Sequence, residues 1–478
     1  MPLQTILFVA YIAGATLFAF TNWRSGPFLI VLAAALQDPI RKTTPGAPAW
    51  LILGVAPIFA AWAIGLISRH PGWWAEFRWR EPVLARAVTV FAGGLVIPVL
   101  IDLQYGIGGI KLIIMGMLLY GVVIANLVLG FYYGGDISVV RRLFRWHVLV
   151  TAVMLVGVVL EYRLVYPDWY ALGTKAMGNT WIRHIPGRQI RMIAGFYRSP
   201  DIMGWHATTA ALLAMLLALT SRSFLPRFAW MALSGWALLG TFLCGRRKFF
   251  YMIPFFLLAM TWLSLRRRGS GAAKFAALGV VSLALFYGIY AAVGPYEDVA
   301  VYYFATARDT VQRAQDFGIW EMLGTFQQSG YLSKGLGAAA TGAHHLQSAD
   351  DRPSTWQEGG LGRLAVELGL PGLLCAFWLA YVLLRRLHAQ ARETGAAGTP
   401  TGDLYLGVYA LILANGASFV ISGQIFGEPF VGFFFSLLLG IALASTRERE
   451  PALQSVALPR RVAVPAALGA QNPGLGGG

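Results

Sequence analysis

The sequence predicts an all-α, polytopic membrane protein, and three observations carry that reading. First, 57% of its 478 residues are hydrophobic and only 13% are charged, where a soluble domain carries about 25% charged residues. With a mean hydropathy of +0.60, the apolar surface exceeds what one core can hide. Second, the apolar residues fall in separate runs close to the roughly 20 residues that a helix needs to cross a ~30 Å hydrocarbon core. Third, the basic residues favour alternate connections, the pattern of a chain whose cytoplasmic loops retain Lys and Arg. The net charge of +16 does not point to a nucleic-acid partner, because the cations sit in short clusters between apolar runs rather than on one basic domain. Cys244 and Cys375 both lie inside apolar stretches, so no disulfide framework is expected. The first apolar run has no basic flank and no clear small-residue cleavage site, so it reads as a span rather than a cleaved leader.

Taken in order, twelve runs meet or approach spanning length: 3–20, 48–68, 87–103, 108–132, 146–160, 202–220, 228–244, 249–265, 275–294, 359–384, 404–422 and 428–446. A further run, 26–36, has only eleven residues and reads as a re-entrant or tilted half-helix. The segments 69–86, 133–145, 221–227, 266–274 and 385–403 carry Arg69, Arg78, Arg141, Arg142, Arg222, Arg266, Arg385 and their neighbours, and all five fall on one face with Arg447 and Arg449. That face is the cytoplasmic one, and twelve spans place both termini there. The expected organisation is a single integral-membrane domain, 1–446, followed by a disordered cytoplasmic tail, 447–478, rich in Ala, Pro and Gly. Two long loop segments remain on the outer face, 161–201 and 295–358. The second carries an amphipathic helix near 308–326, where Ile319, Met322, Leu323 and Phe326 recur at helical spacing. Trp73, Trp74, Trp169, Trp181 and Trp356 lie near span ends and read as interfacial anchors.

One cluster breaks the charge rule. Gly245-Arg246-Arg247-Lys248 joins two spans on the outer face, where three cations and no acid oppose the positive-inside bias. At the start of the next helix they would also face the positive end of its dipole. A polyanionic ligand relieves both conflicts, whereas a misdrawn span would make the turn an ordinary anchor. The outer segment 161–201 is basic too, with Arg163, Lys175, Arg183, Arg188, Arg191 and Arg198 against Glu161 and Asp168. It ends in Ser199-Pro200-Asp201, a helix start with an N-cap, a first-position proline and an acid in the first turn. A helix mouth flanked by Arg191 and Arg198 is an anion site in waiting, although headgroup contact explains any single arginine equally well.

The segment 295–358 supplies the remaining candidates. Gly335-Leu336-Gly337 with Gly342 reads either as a turn that approaches a ligand or as a linker. His344 and His345 are adjacent and point different ways in most backbones. No cysteine or third histidine is nearby, so neither a metal site nor any other cofactor is expected. Glu358 opens a span, as a dipole partner or a general base, and Glu367 lies two turns further in with Arg363 four residues before it as its natural partner.

These stretches, in this order, resemble the O-antigen ligase and polymerase superfamily of bacterial membrane glycosyltransferases. The resemblance covers roughly 190–385 and rests on Gly195-Phe196-Tyr197-Arg198-Ser199-Pro200-Asp201, similar to a Gly-Phe-x-x-Pro-Asn stretch. It rests also on the basic turn at 245–248, on Gly335-Leu336-Gly337 in a large outer loop, and on Glu367-Leu368-Gly369-Leu370-Pro371-Gly372, similar to a Glu-x-Gly-x-x-Gly span opening. Asp201 stands where the family has Asn, and Trp356-Gln357 stands where it has a histidine, which favours a polymerase-like over a lipid A-core ligase reading.

The resemblance implies transfer of a glycan from an undecaprenyl-pyrophosphate carrier to an acceptor hydroxyl at the outer leaflet of the bacterial inner membrane, without metal or nucleotide. Its partners would be that lipid-linked donor, a glycan or lipid acceptor, membrane lipids and other surface-polysaccharide assembly proteins. On that reading Arg246 and Arg247 stabilise the leaving pyrophosphate, since a guanidinium fork binds phosphate oxygens and keeps its proton. Arg191, Arg198, Lys248 and Arg363 assist in binding, and Glu358, or failing that His345, removes the acceptor proton. The rival expectation is a transporter or flippase for an anionic or lipid-linked substrate.

Overall fold

The computed structural model describes residues 2–163, 172–177, 181–185, 188–265, 309–340, 357–395 and 399–446, with single positions 280, 284, 302, 303 and 306. Most of the run 275–294, the tail 447–478, and His344 and His345 lie outside the described residues. The described chain is helical apart from one antiparallel ribbon, Ile182–Ile185 (β1) against Arg188–Arg191 (β2). Among the described residues, eight helices are long and apolar enough to cross a membrane.

The chain opens with α1 (Leu3–Thr21), α2 (Gly26–Thr43) and α3 (Val55–Arg69). The apolar run 26–36 is therefore the first part of an 18-residue helix, about 27 Å long at 1.5 Å per residue. It continues past Leu36 because Asp38 is buried on an arginine partner rather than left in an apolar medium. Thr5 and Thr44 share a 2.7 Å hydroxyl contact, and Arg69 donates to the carbonyls of Phe20 and Thr21. The three helices thus alternate in direction, and α2 is not among the eight that are apolar enough to cross a membrane. After a short helix, α4 (Trp73–Arg80), the stretch Pro82–Tyr133 turns back on itself at Leu103–Gly106. It comprises α5 (Pro82–Gly94), α6 (Val96–Asp102), α7 (Gly106–Gly116) and α8 (Val122–Tyr133).

Next come α9 (Ile137–Met154) and α10 (Val156–Arg163). Asp136 caps α9 by accepting from the amides of Ser138 and Val139, so Arg141, Arg142 and Arg145, which the sequence places in a loop, belong to the first turns of the helix. The central helix is α11 (Pro200–Leu219), 94% buried and packed against α9, α12 (Phe224–Leu243), α13 (Arg247–Leu265) and α17 (Pro400–Ile421). Before α17 come α14 (Asp309–Gln315), α15 (Glu321–Ser329) and α16 (Gly360–Gly395), and α18 (Pro429–Leu443) follows it. The expected amphipathic helix is split in two, with Phe326 packed inward on Ala365 and Leu373 while Ile319, Trp320 and Leu323 stay exposed. α8 and α18 meet where Gly130 and Gly440 leave no room for side chains, each lying against the other helix's backbone, the close approach of small residues that membrane helices use.

α16 is not continuous. Gly369 has φ +61° and ψ −176°, and a Cβ there would lie 2.5 Å from the Ser333 amide nitrogen. The break is closed by residues 331–334: the Lys334 amide donates to Val366 O (2.8 Å), Ser333 Oγ to Glu367 O (2.6 Å), and the Leu370 amide to Tyr331 O (2.8 Å). Leu336 enters fully buried among Phe91, Leu95, Tyr120 and Leu368, and its amide donates to the Asp102 carboxylate at 2.7 Å. Gly335, at φ +113°, lies against that same carboxylate. The glycines of 335–337 therefore admit the neighbouring backbone and an acid, and the segment is packed into the bundle rather than a free linker.

Chain contacts also fix which elements share an end of the bundle. The end of α2, the described residues of 172–199, the turn 244–248 and the connection 422–428 lie together at one end. Tyr133 with Arg24, Tyr405 with Gly134, and Arg386 with Glu81 lie at the other. The start of α1 belongs to the first end and the close of α18 to the second.

Candidate functional site

Two buried charges shape the segment 172–199. Lys42 Nζ donates to the carbonyls of Leu172, Gly195 and Tyr197 at 2.9, 2.7 and 2.6 Å, which uses all three of its protons. Glu161 accepts from the Thr174 amide and hydroxyl, from the Gly195 amide and from Arg191 at 3.2 Å. Arg191 is therefore committed to holding the segment together. The cap proposed for α11 is present, with Ser199 Oγ accepting from the Ile202 amide at 3.3 Å and Pro200 in the first turn.

The first-turn acid of that helix organises the main cluster. Asp201 forms ion pairs with Arg246 Nη2 at 2.6 Å and with Lys248 Nζ at 2.8 Å, so an acid of the chain itself occupies the expected anion-binding mouth. Lys248 also reaches Ser422 Oγ at 3.1 Å. Arg246 lies over the Trp181 ring, 5.1 Å from its centroid, so Trp181 supports a guanidinium. Arg183, on β1, completes the group. Burial and then the adjacent positive charge of Arg246 pull its pKa below the ordinary arginine value. The Nε atoms of Arg183 and Arg246 are buried with no hydrogen-bond partner among the described residues. Three cations thus surround one carboxylate.

Arg247 does not join them. It turns away to donate to Thr306 O at 3.0 Å and to lie over Tyr302, so the two adjacent arginines nominated together act in different places. Arg198 is also spoken for: it pairs with Asp38 at 2.9 Å and with Glu428, and its own amide donates to Asp38. Arg363 pairs with Glu367 at 3.4 Å, as the spacing implies, while Tyr120 OH donates to the other oxygen of that acid. Its Nη2 has no partner among the described residues.

Two carboxylates lie at the start of α16. Glu321 accepts from the amides of Glu358 and Gly359 at 2.8 and 2.7 Å and so serves as the helix cap. Burial, the main cause, raises its pKa above the usual carboxylate value, although those two amides pull the other way. Glu358 is itself a half-buried residue. Its carbonyl accepts from the Gly423 amide at 2.9 Å, one residue from the Ser422 that Lys248 touches.

The connection 422–428 is therefore the common neighbour: Ser422 meets Lys248, Gly423 meets Glu358, Gly427 packs on the Arg363 guanidinium, and Glu428 holds Arg198. Sequence reasoning missed it, along with Asp38, Lys42 and the role of Arg183. Its only local signals are Glu428-Pro429 before a span and a glycine at each end of 423–427. Of the nominated residues, the structure brings Lys248 and Glu358 to this connection, and Arg246 shares Asp201 with Lys248. Arg198 and Arg363 are placed beside it in their own ion pairs, and Arg191 and Arg247 are directed elsewhere. Comparison with protein-family models finds no match, and comparison with the curated proteins finds none either.

Proposed function

We propose that the chain is a metal-independent membrane glycosyltransferase of the bacterial cytoplasmic membrane. It would transfer or polymerise a glycan from an undecaprenyl-pyrophosphate donor onto an acceptor hydroxyl in surface-glycan assembly, polymerase-like rather than ligase-like. The observation that carries this reading is the excess of cations, Arg183, Arg246 and Lys248, around Asp201, with the backbone of Glu358 bonded to Gly423, next to the Ser422 that Lys248 touches.

In this reading the acceptor oxygen bonds to the anomeric carbon as the carbon–oxygen bond to the pyrophosphate breaks. The electron pair leaves on the pyrophosphate, whose growing charge is met by Arg246, Arg183 and Lys248. Fixed guanidiniums in a water-poor site stabilise that charge more in the transition state than in the ground state. Glu358 takes the hydroxyl proton, a role worth roughly 10²–10⁴-fold in rate. Glu358→Gln is therefore expected to cost that range in transfer while the protein accumulates normally. Near-wild-type transfer would remove Glu358 from the mechanism.

With the arginine-rich end at the cytoplasm, the site faces outward. The start of α1 shares the site's end and the close of α18 the other, so on this reading they lie outside and inside respectively. A cysteine at Leu332, 64% exposed at the site's end, should react with an impermeant thiol reagent in intact spheroplasts, and one at Arg222 should not. The reverse pattern would overturn the orientation.

A flippase is the second reading, favoured by the break in α16 beside the buried Arg363 and Glu367, since interrupted helices line many transport pathways. Proteoliposomes given lipid-linked glycan separate the two. A lengthened or transferred glycan means an enzyme, and unchanged lipid moved across the bilayer means a flippase.

A further inference from the structure

The end of the bundle remote from Asp201 holds a cavity of about 340 Å³, a size in the roughly 300–1,000 Å³ range of small-molecule sites. It forms where α9, the turn between α11 and α12, and the start of α17 converge. Arg141 and Arg145, one turn apart on α9, and Arg222 from the turn line it, and no carboxylate is among its lining residues. Ser223 and Thr401 bring hydroxyls to the same space. The 22-residue α17 points its N-terminus into it, with Pro400 and Thr401 in the wall. That places the positive end of a helix dipole beside three guanidiniums.

Retention of positive charge on one side of a membrane explains arginines at this end, but not their convergence on a concave space. It also leaves unexplained the Nε of Arg141, which is buried with no hydrogen-bond partner among the described residues. An unmet buried donor is costly, and a phosphate oxygen is the acceptor a guanidinium fork fits best. The side chains after Ser223 add a second property. Phe224 and Leu225 are 79% and 75% exposed, an apolar ridge beside a polar cavity at a bundle end. Basic pockets between membrane helices accept anionic headgroups in this arrangement, with the acyl chains along the apolar flank.

We propose that this cavity binds a phosphate group, and that the ridge beside it selects one carried on a lipid, an anionic phospholipid headgroup. The proposal is independent of the glycan-transfer reading, since it shares no residue with that site.

The test uses the full chain purified in detergent, in two arms. In the first, phosphatidylglycerol is titrated against phosphatidylcholine and retained lipid is read by native mass spectrometry. In the second, inorganic phosphate competes with the lipid, against chloride at equal ionic strength. Saturable retention of phosphatidylglycerol over phosphatidylcholine is expected, weakened roughly ten-fold by Arg141→Gln and again by Arg222→Gln, as one lost charge-assisted bond implies. Arg222 is exposed, so its variant keeps the test open if Arg141→Gln fails to fold. Phosphate competing at concentrations similar to the lipid would keep the phosphate site and overturn its lipid selectivity. Retention unchanged in both variants, or none in either arm, would overturn the proposal.

Discussion

Arg198 and Arg246 belong to the same end of the bundle and look alike in sequence, yet they sit in opposite electrostatic settings. Arg198 pairs with two acids, Asp38 and Glu428, each nearly inaccessible, with Arg41 and Lys42 close by. Arg246 is one of three cations around the single carboxylate of Asp201. The first arrangement is closed: it ties α2 to the start of α11 and to the 422–428 connection, and leaves Arg198 no charge to offer. The second is open, because positive charge exceeds negative charge and two guanidinium nitrogens lack partners. Similar residues at similar depth thus divide into a fastener and a receptor, and the count of neighbouring acids decides which is which.

The sharpest way to break this contrast is to remove an acid from the closed group. Asp38→Ala strips a buried arginine of its geometrically best partner, and breaking such a pair typically costs about 3–5 kcal/mol. The expected outcome is a large drop in melting temperature and in monodisperse yield from detergent. An unchanged melting temperature would mean that Glu428 alone holds Arg198.

Next in size is the open group. Arg246→Ala should reduce glycan transfer about 10- to 150-fold, from a lost charge-assisted bond of about 1.5–3 kcal/mol at 1.36 kcal/mol per decade. Stability should change little, because Lys248 still neutralises Asp201. Arg247→Ala, which gives up only a carbonyl and a tyrosine face, should cost less than about ten-fold on the same scale. Equal losses from the two variants, measured as accumulated lipid-linked precursor at equal protein level, would contradict the division drawn between them.

The smallest effect concerns the two acids at the start of α16. Burial raises the Glu321 pKa in the folded state, so that state holds its proton more tightly than the unfolded chain does. Stability from this group is therefore present at pH below the ordinary glutamate value and declines as pH rises through the folded value. Relative to Glu321→Gln, which cannot titrate, the wild type should lose melting temperature as pH rises across that window. A difference that stays constant with pH would rule out the raised carboxyl.

Local signals made part of this legible. Ser199-Pro200-Asp201 announces a capped helix and Arg363 four before Glu367 announces a pair; both stand as structural facts. What escaped depends on distance along the chain. Asp38 and Arg198 are 160 residues apart and Lys248 and Ser422 are 174 apart, and no periodicity links such positions. The length of α2 escaped for a related reason: Gln37, Asp38, Arg41 and Lys42 read as the end of an apolar run until their partners are known. Choosing between Arg246 and Arg247 needed the backbone, since adjacent side chains on one turn share composition but not direction.

The closure of α16 by residues 331–334 also bears on how the chain is made. Lipid offers no donors or acceptors, so a helix broken at Gly369 cannot rest alone in a bilayer with the Val366 and Glu367 carbonyls and the Leu370 amide unmet. The residues that meet them lie about thirty positions earlier and leave the ribosome first. By the time the break emerges, its complement has already been synthesised, and Leu336 can dock against α5 and the turn leading into α8, which were inserted earlier still. The order of synthesis thereby protects the weakest point of the longest helix, and a circular permutation that places 331–340 after α16 would remove that protection.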